Sequence, residues 1–170
     1  MILTSYAYIY DMRKMLLNTF IDLDFKLIGI NASLEPYKMV FLINKNLKMQ
    51  FKRTPKDIEM FHENLLTNFS LYTFCDSKTA SQMYFIQNKS KYIDQKTKFA
   101  TSLFEDQDQA IDKYLIKSHL QSDYLIKIED EFDRFKVKKI LLDLNEIPQI
   151  ISAYEISPSH IKSPENLIFE

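Results

Sequence analysis

Glycine occurs once in the 170 residues, at Gly29, where an average chain of this length carries roughly a dozen. Phosphate-cradling loops need several glycines, because backbone amides must approach the phosphate with no Cβ in the way. One glycine makes neither a P-loop nor a dinucleotide fingerprint. Cysteine also occurs once, at Cys75, which excludes an intrachain disulfide and a Cys-rich zinc site and suits a reducing cytoplasm. Arginine is confined to Arg13, Arg53 and Arg134, few for the bidentate recognition of phosphate or guanine. No charge surplus exists either. The 22 basic and 23 acidic residues leave a net charge of −1, whereas sequence-independent nucleic-acid binding draws on a basic excess. No stretch of about 20 residues is free of charge, so no spanning helix is expected. The N-terminus has no basic lead-in of the secretory kind.

What remains is 46% hydrophobic and 26% charged, the composition of one globular domain. No repeat and no Pro- or Gly-rich linker divides it. FKLIGINAS (Phe25–Ser33) alternates Phe25, Leu27 and Gly29 against Lys26, Ile28 and Ile30 as a strand does, with Gly29 marking a close contact or a bulge. Ser33 stands where a helix cap is expected, and Pro36 is tolerated in a first turn. A helix then follows over Tyr37–Leu47, with Tyr37, Val40, Phe41 and Asn44 along one stripe. Its apolar run Met39–Ile43 predicts deep packing.

Gln50–Thr54 reads as a return strand. Phe69–Cys75 and Gln82–Gln87 form a hairpin across a polar turn, and Lys96–Phe104 is a further strand candidate. Glu105–Asp112 reads as an acidic surface segment. In the last third, Tyr124, Ile126 and Ile128 share a strand face, and Asp130 is placed to cap the next helix. Val137, Ile140, Leu141 and Leu144 follow helical spacing. Pro148 ends that helix, and Ile150–Ile156 is the last strand. Two strand–helix–strand units predict an α+β fold: a single domain with a mostly antiparallel sheet and two main helices on one face, in a ferredoxin-like or related arrangement.

The sites are sparse. His62, His119 and His160 lack the spacing of a helical metal site, and Cys75 reads as a buried small hydrophobe at a strand end. The carboxylates of Glu105–Asp108 and Glu129–Asp133 suit caps and solvated faces as well as acid–base or Mg²⁺ work. Neither catalytic, cofactor-binding nor metal-binding residues are assigned. The 10 Tyr and 13 Phe fit a large core with some partner-facing surface.

Asp123-Tyr124-Leu125-Ile126-Lys127-Ile128, then Glu146-Ile147-Pro148-Gln149-Ile150-Ile151-Ser152-Ala153-Tyr154, the tail IKSPENLIFE and the upstream LIGINASLEPYKMVFLINKNL together resemble the IPExxVDY family. This is a family of Bacteroidetes proteins to which no activity is assigned. The resemblance spans roughly Leu16–Glu170 and rests on the order and spacing of the segments. The naming signature is only partly kept, within Leu115–Tyr124. Asp123 and Tyr124 match it, while its Pro, Glu and Val are missing. The resemblance implies no activity, cofactor or ligand. It divides the chain into residues 16–170 as the domain and 1–15 as an N-terminal extension. Met12 or Met15 fits the family's start, so the resemblance implies that Met1–Asp11 is a mis-assigned or dispensable start.

The function expected is a small cytoplasmic, non-catalytic module that binds a protein, with a homodimer as one form. An RNA-associated role would use Lys48, Lys52, Arg53 and Lys56 beside Phe51. An enzymatic role would start from Asp123, Tyr124 and His119 as acid–base groups. Gly29, Ser33, Asp130 and Pro148 are the residues assigned structural work.

Overall fold

The computed structural model describes residues 25–62, 65–76, 81–92, 111–130 and 135–169. The expected extension, the strand candidate Lys96–Phe104, most of the acidic segment and the Asp76–Thr79 turn beyond Asp76 lie outside them.

The order is β1 (Lys26–Asn31), α1 (Pro36–Leu47), β2 (Lys52–Arg53), β3 (Ile58–His62), β4 (Leu65–Phe69), β5 (Leu71–Asp76), β6 (Ser81–Gln87), β7 (Lys89–Tyr92), β8 (Ile111–Tyr114), β9 (Tyr124–Glu129), α2 (Val137–Asn145) and β10 (Ser152–Ile156). Two 3₁₀ turns, Pro158–His160 and Pro164–Leu167, follow. Six strands form one sheet in the order β10-β1-β9-β6-β5-β2, and every pairing in it is antiparallel. With α1 and α2 as crossovers, β1, β6, β9 and β10 lie in the ferredoxin-like order of last, first, third, second. β5 and β2 extend that core on one side, and β3–β4 and β7–β8 are separate hairpins. The chain is therefore an α+β domain with a mostly antiparallel sheet. No helix of the described residues is long and apolar enough to cross a membrane.

Strand alternation sends side chains to both faces, and both are covered. Ile28, Ile30, Tyr72, Met83, Phe85, Tyr124, Ile126 and Ile128 meet Met39, Val40 and Ile43 of α1 and Val137, Ile140 and Leu144 of α2. The helices thus share one face. Phe85 lies at the centre of that layer, its ring centroid 5.1 Å from Tyr124, 5.8 Å from Tyr72 and 6.3 Å from Phe51. Much of the aromatic excess is spent here. On the opposite face Leu27, Phe69, Ile86 and Leu125 pack under Leu115, Ile116, Ile161 and Leu167, so the turn after β8 and the C-terminal turns form a second lid.

A buried lysine holds that lid. Lys127 is 5% exposed, and its Nζ donates to the Leu167 carbonyl at 2.7 Å and pairs with Glu129 Oε1 at 2.5 Å. The rings of Phe25, Tyr84 and Phe169 surround it, with centroids 5.0–5.3 Å away. Negative ring faces, one carboxylate and one carbonyl replace the water the ammonium gives up.

Helix ends differ from the expectation. α1 is preceded by Glu35 rather than Ser33, and no side chain caps it. Pro36 at its first position lacks the amide a cap would serve, which lowers the demand for one. α2 is preceded by Lys136, again with no side-chain cap. Asp130 lies too early: its carboxylate accepts from the Phe135 amide at 2.7 Å and from Ser81 Oγ at 3.0 Å, so it ties the connection to β6. α2 ends at Asn145, three residues before Pro148. At the end of α1, Lys48 takes the left-handed conformation (φ 55°) that glycine usually supplies at a helix C-terminus. Here the scarcity of glycine is met by a strained lysine.

Candidate functional site

The residues singled out as acid–base candidates gather where β1 ends and β9 begins. Asp123 Oδ2 accepts from the Ala32 amide at 2.9 Å, and the Asp123 amide donates to the Ile30 carbonyl at 2.9 Å. Its own carbonyl accepts from Asn88 and Lys89. Tyr124 is 4% exposed, stacks on Phe85 and donates its hydroxyl to the Leu34 carbonyl. Burial foremost, then the negative charges of Asp123 and Glu35, push the phenol well above its ordinary pKa. The phenol is buried and its proton is engaged by a backbone carbonyl. The pair fastens the turn after β1 to the first residues of β9.

Asn88 organises the same region and gave no signal in the sequence, where it sits beside Lys89 in a polar stretch. It is fully buried. Its Oδ1 accepts from the Ile116 amide at 2.8 Å, and its Nδ2 donates to the carbonyls of Ser122 (2.8 Å) and His119 (3.1 Å). Its backbone carbonyl accepts from Leu115. One side chain thus satisfies three backbone groups of a turn that runs from Leu115 to Ser122.

Gly29 lies directly against the end of that turn, at Ser122. A Cβ there would stand 2.5 Å from Ser122 Oγ, 2.9 Å from Ile156 Cδ1 and 3.0 Å from Tyr154 Cζ. Ser122 Oγ and Tyr154 OH share a 2.6 Å hydrogen bond that passes over the glycine. Its φ is not positive, so close approach and not conformational freedom requires it.

His119 belongs to this turn as well. Its Nε2 is buried with no hydrogen-bond partner among the described residues. Burial first, and the neighbouring charge of His160 second, lower its pKa below the ordinary histidine value. The unfolded chain therefore binds this proton more readily than the fold does. The contribution is complete above about pH 6.5 and is lost as the pH falls through the folded value. Wild-type protein is expected to lose stability between pH 7.5 and about 5.5, and His119→Gln to lose less over the same interval. Urea midpoints at the two pH values measure this, and identical drops in both proteins would remove His119 from the account.

The basic stretch does not form an aromatic platform. Phe51 is buried in the core, 5.7 Å from Phe74, and stacks no base. Arg53 is held by Asp57 through two contacts of its Nη2, at 2.5 and 2.7 Å, and lies over the Tyr72 ring at 5.1 Å. Cys75 is exposed, contrary to the buried hydrophobe expected. It lies near the end of β5, beyond the Tyr72–Thr73 stretch that β2 pairs among the described residues.

The aromatic surface lies on α1. The buried stripe is Met39, Val40 and Ile43, not the Tyr37–Val40–Phe41–Asn44 line expected, because an all-round apolar run gives no phase to read. Asn44 instead hydrogen-bonds the Phe51 backbone in both directions. Tyr37 and Phe41 are 62% and 65% exposed and one helical turn apart. With Leu34 and Leu42 they line an open groove of about 660 Å³, joined among the described residues by Lys38 and Gln149. The Lys38 ammonium lies 5.7 Å from the Tyr37 ring centre.

Compared with family models, curated proteins and solved structures, the chain matches none of them.

Proposed function

We propose that this chain is a cytoplasmic, non-catalytic protein-interaction module of the IPExxVDY family, and that the α1 groove is its contact surface. One observation carries the reading: two large aromatics a helical turn apart stand more than 60% exposed along an apolar groove. Single exposed apolar residues are common on protein surfaces, but contiguous ones rimmed by polar groups mark contact sites. Tyr and Phe also carry much of the energy at such sites, since they bury large area with little side-chain entropy to lose. The partner that fits is a protein segment presenting apolar side chains, with an acidic group opposite Lys38.

Burial of a Phe side chain contributes about 1.5–3 kcal/mol. Phe41→Glu is therefore expected to weaken partner capture by about tenfold or more while leaving the fold intact, because the side chain lies outside the core. Pull-down from the native cytoplasm with wild type, Phe41→Glu and a control substitution at Glu155 on β10 reads this directly. A partner set unaffected by Phe41→Glu defeats the reading. Light scattering separates the occupants: a concentration-dependent dimer abolished by the same substitution assigns the groove to a second copy.

A further inference from the structure

A second concavity lies on the opposite face of the sheet from the helices, so it is independent of the α1 groove. It measures about 310 Å³ and is enclosed by the turn after β8, the C-terminal turns and Met60 of β3. Its polar lining is Lys117, Ser118, Lys162, Ser163 and Asn166. Among the described residues no carboxylate lines it and neither lysine forms an ion pair. Two lysines lining one concavity, with no carboxylate among its described lining residues, raise the local potential and attract anions.

The walls are set before any ligand arrives. Asn166 Nδ2 donates to the Leu115 carbonyl at 3.0 Å and so joins the C-terminal turns to the turn after β8. Asn88 fixes that turn from below by accepting from the amides of Leu115 and Ile116. Leu115, Ile116 and Met60 supply an apolar side for the rest of a small molecule. Such fixed polar groups beside an apolar wall characterise small-molecule sites.

We infer that this cavity binds a small phosphate monoester carrying an apolar group. Two point charges and two hydroxyl donors suit the three terminal oxygens of a phosphate. A planar carboxylate is best met by the fork of an arginine, and no arginine lines the cavity.

The test is a titration of the full chain with phenyl phosphate at low ionic strength, followed by backbone amide resonances. Saturable shifts are expected at Lys117, Ser118, Ser163 and Asn166. The double variant Lys117→Ala/Lys162→Ala should weaken binding about tenfold or more, whereas Lys45→Ala, on α1, should leave it unchanged. Both substituted lysines are exposed, and an unaltered amide spectrum of the free double variant shows that its fold is retained. Three results would overturn the assignment: no saturation at tens of millimolar, shifts equally strong in the double variant, or phenylacetate binding as tightly as phenyl phosphate.

Discussion

Asn88→Ala is expected to lower the unfolding free energy by about 4 kcal/mol, more than most substitutions in a domain of this size. Truncation removes one acceptor and two donors at once, leaving the Ile116 amide and the His119 and Ser122 carbonyls without their side-chain partner. A buried backbone group that loses its bond costs about 1–3 kcal/mol. The spread reflects how far a carbonyl's second lone pair finds another donor. Because Asn88 is fully buried, water reaches those groups only if the turn opens. Asn88→Asp keeps the acceptor, loses both donors and sets a negative charge against two carbonyl oxygens, so it is expected to be no milder. Urea denaturation followed by circular dichroism measures both. A loss below 1 kcal/mol for Asn88→Ala would show that the Leu115–Ser122 turn holds itself.

Gly29→Val is expected to cost about 3 kcal/mol. Adding even one carbon meets Ser122 Oγ at 2.5 Å and Ile156 Cδ1 at 2.9 Å, well inside van der Waals contact, and valine adds two methyl groups beyond it. β-branching normally favours a strand, so a loss here isolates the crowding. Overpacking a tight site costs typically about 1–3 kcal/mol, and the displaced Ser122–Tyr154 hydrogen bond adds about 1 more. Gly29→Ala should be milder. Combining it with Ser122→Ala, which removes the nearest atom, should recover part of the loss, and the double-mutant cycle then reports a favourable coupling. If Gly29→Val proves neutral, the close approach is not what keeps glycine at this position.

The parts of the fold readable in advance were those whose period is set by the residue itself and its near neighbours. Tyr124, Ile126 and Ile128 alternate cleanly and do face the helices. Val137, Ile140 and Leu144 keep helical spacing and are buried together. The α1 stripe failed because Met39–Ile43 is apolar in every direction, and only tertiary packing decides that Phe41 stays outside. The caps assigned to Ser33 and Asp130 failed for a related reason. A short polar side chain near a helix start has several uses, and Asp130 serves Ser81, 49 residues away in the chain.

The site lay further out of reach. Asn88 and Lys127 look like ordinary solvent-facing residues, and the backbone groups their side chains bond sit 28 to 40 residues distant. Polar residues of this kind acquire a role only once separate segments meet. Asp123 and Tyr124 stood out through a resemblance, and periodicity could not distinguish a proton-transfer pair from a turn anchor. What the structure adds is the Ala32 and Leu34 backbone groups that engage them and give both residues structural work.

The place of β1 in the sheet has a consequence for the newly made chain. Its only neighbours are β9 and β10, so Leu27, Ile28 and Ile30 emerge from the ribosome with no strand to join. They wait until roughly a hundred further residues have been synthesised. α1 and the β5–β6 hairpin can form meanwhile from local contacts, but the sheet stays divided with β1 unpaired. During that interval an apolar strand is open to wrong partners. The step that ends the exposure is the arrival of β9.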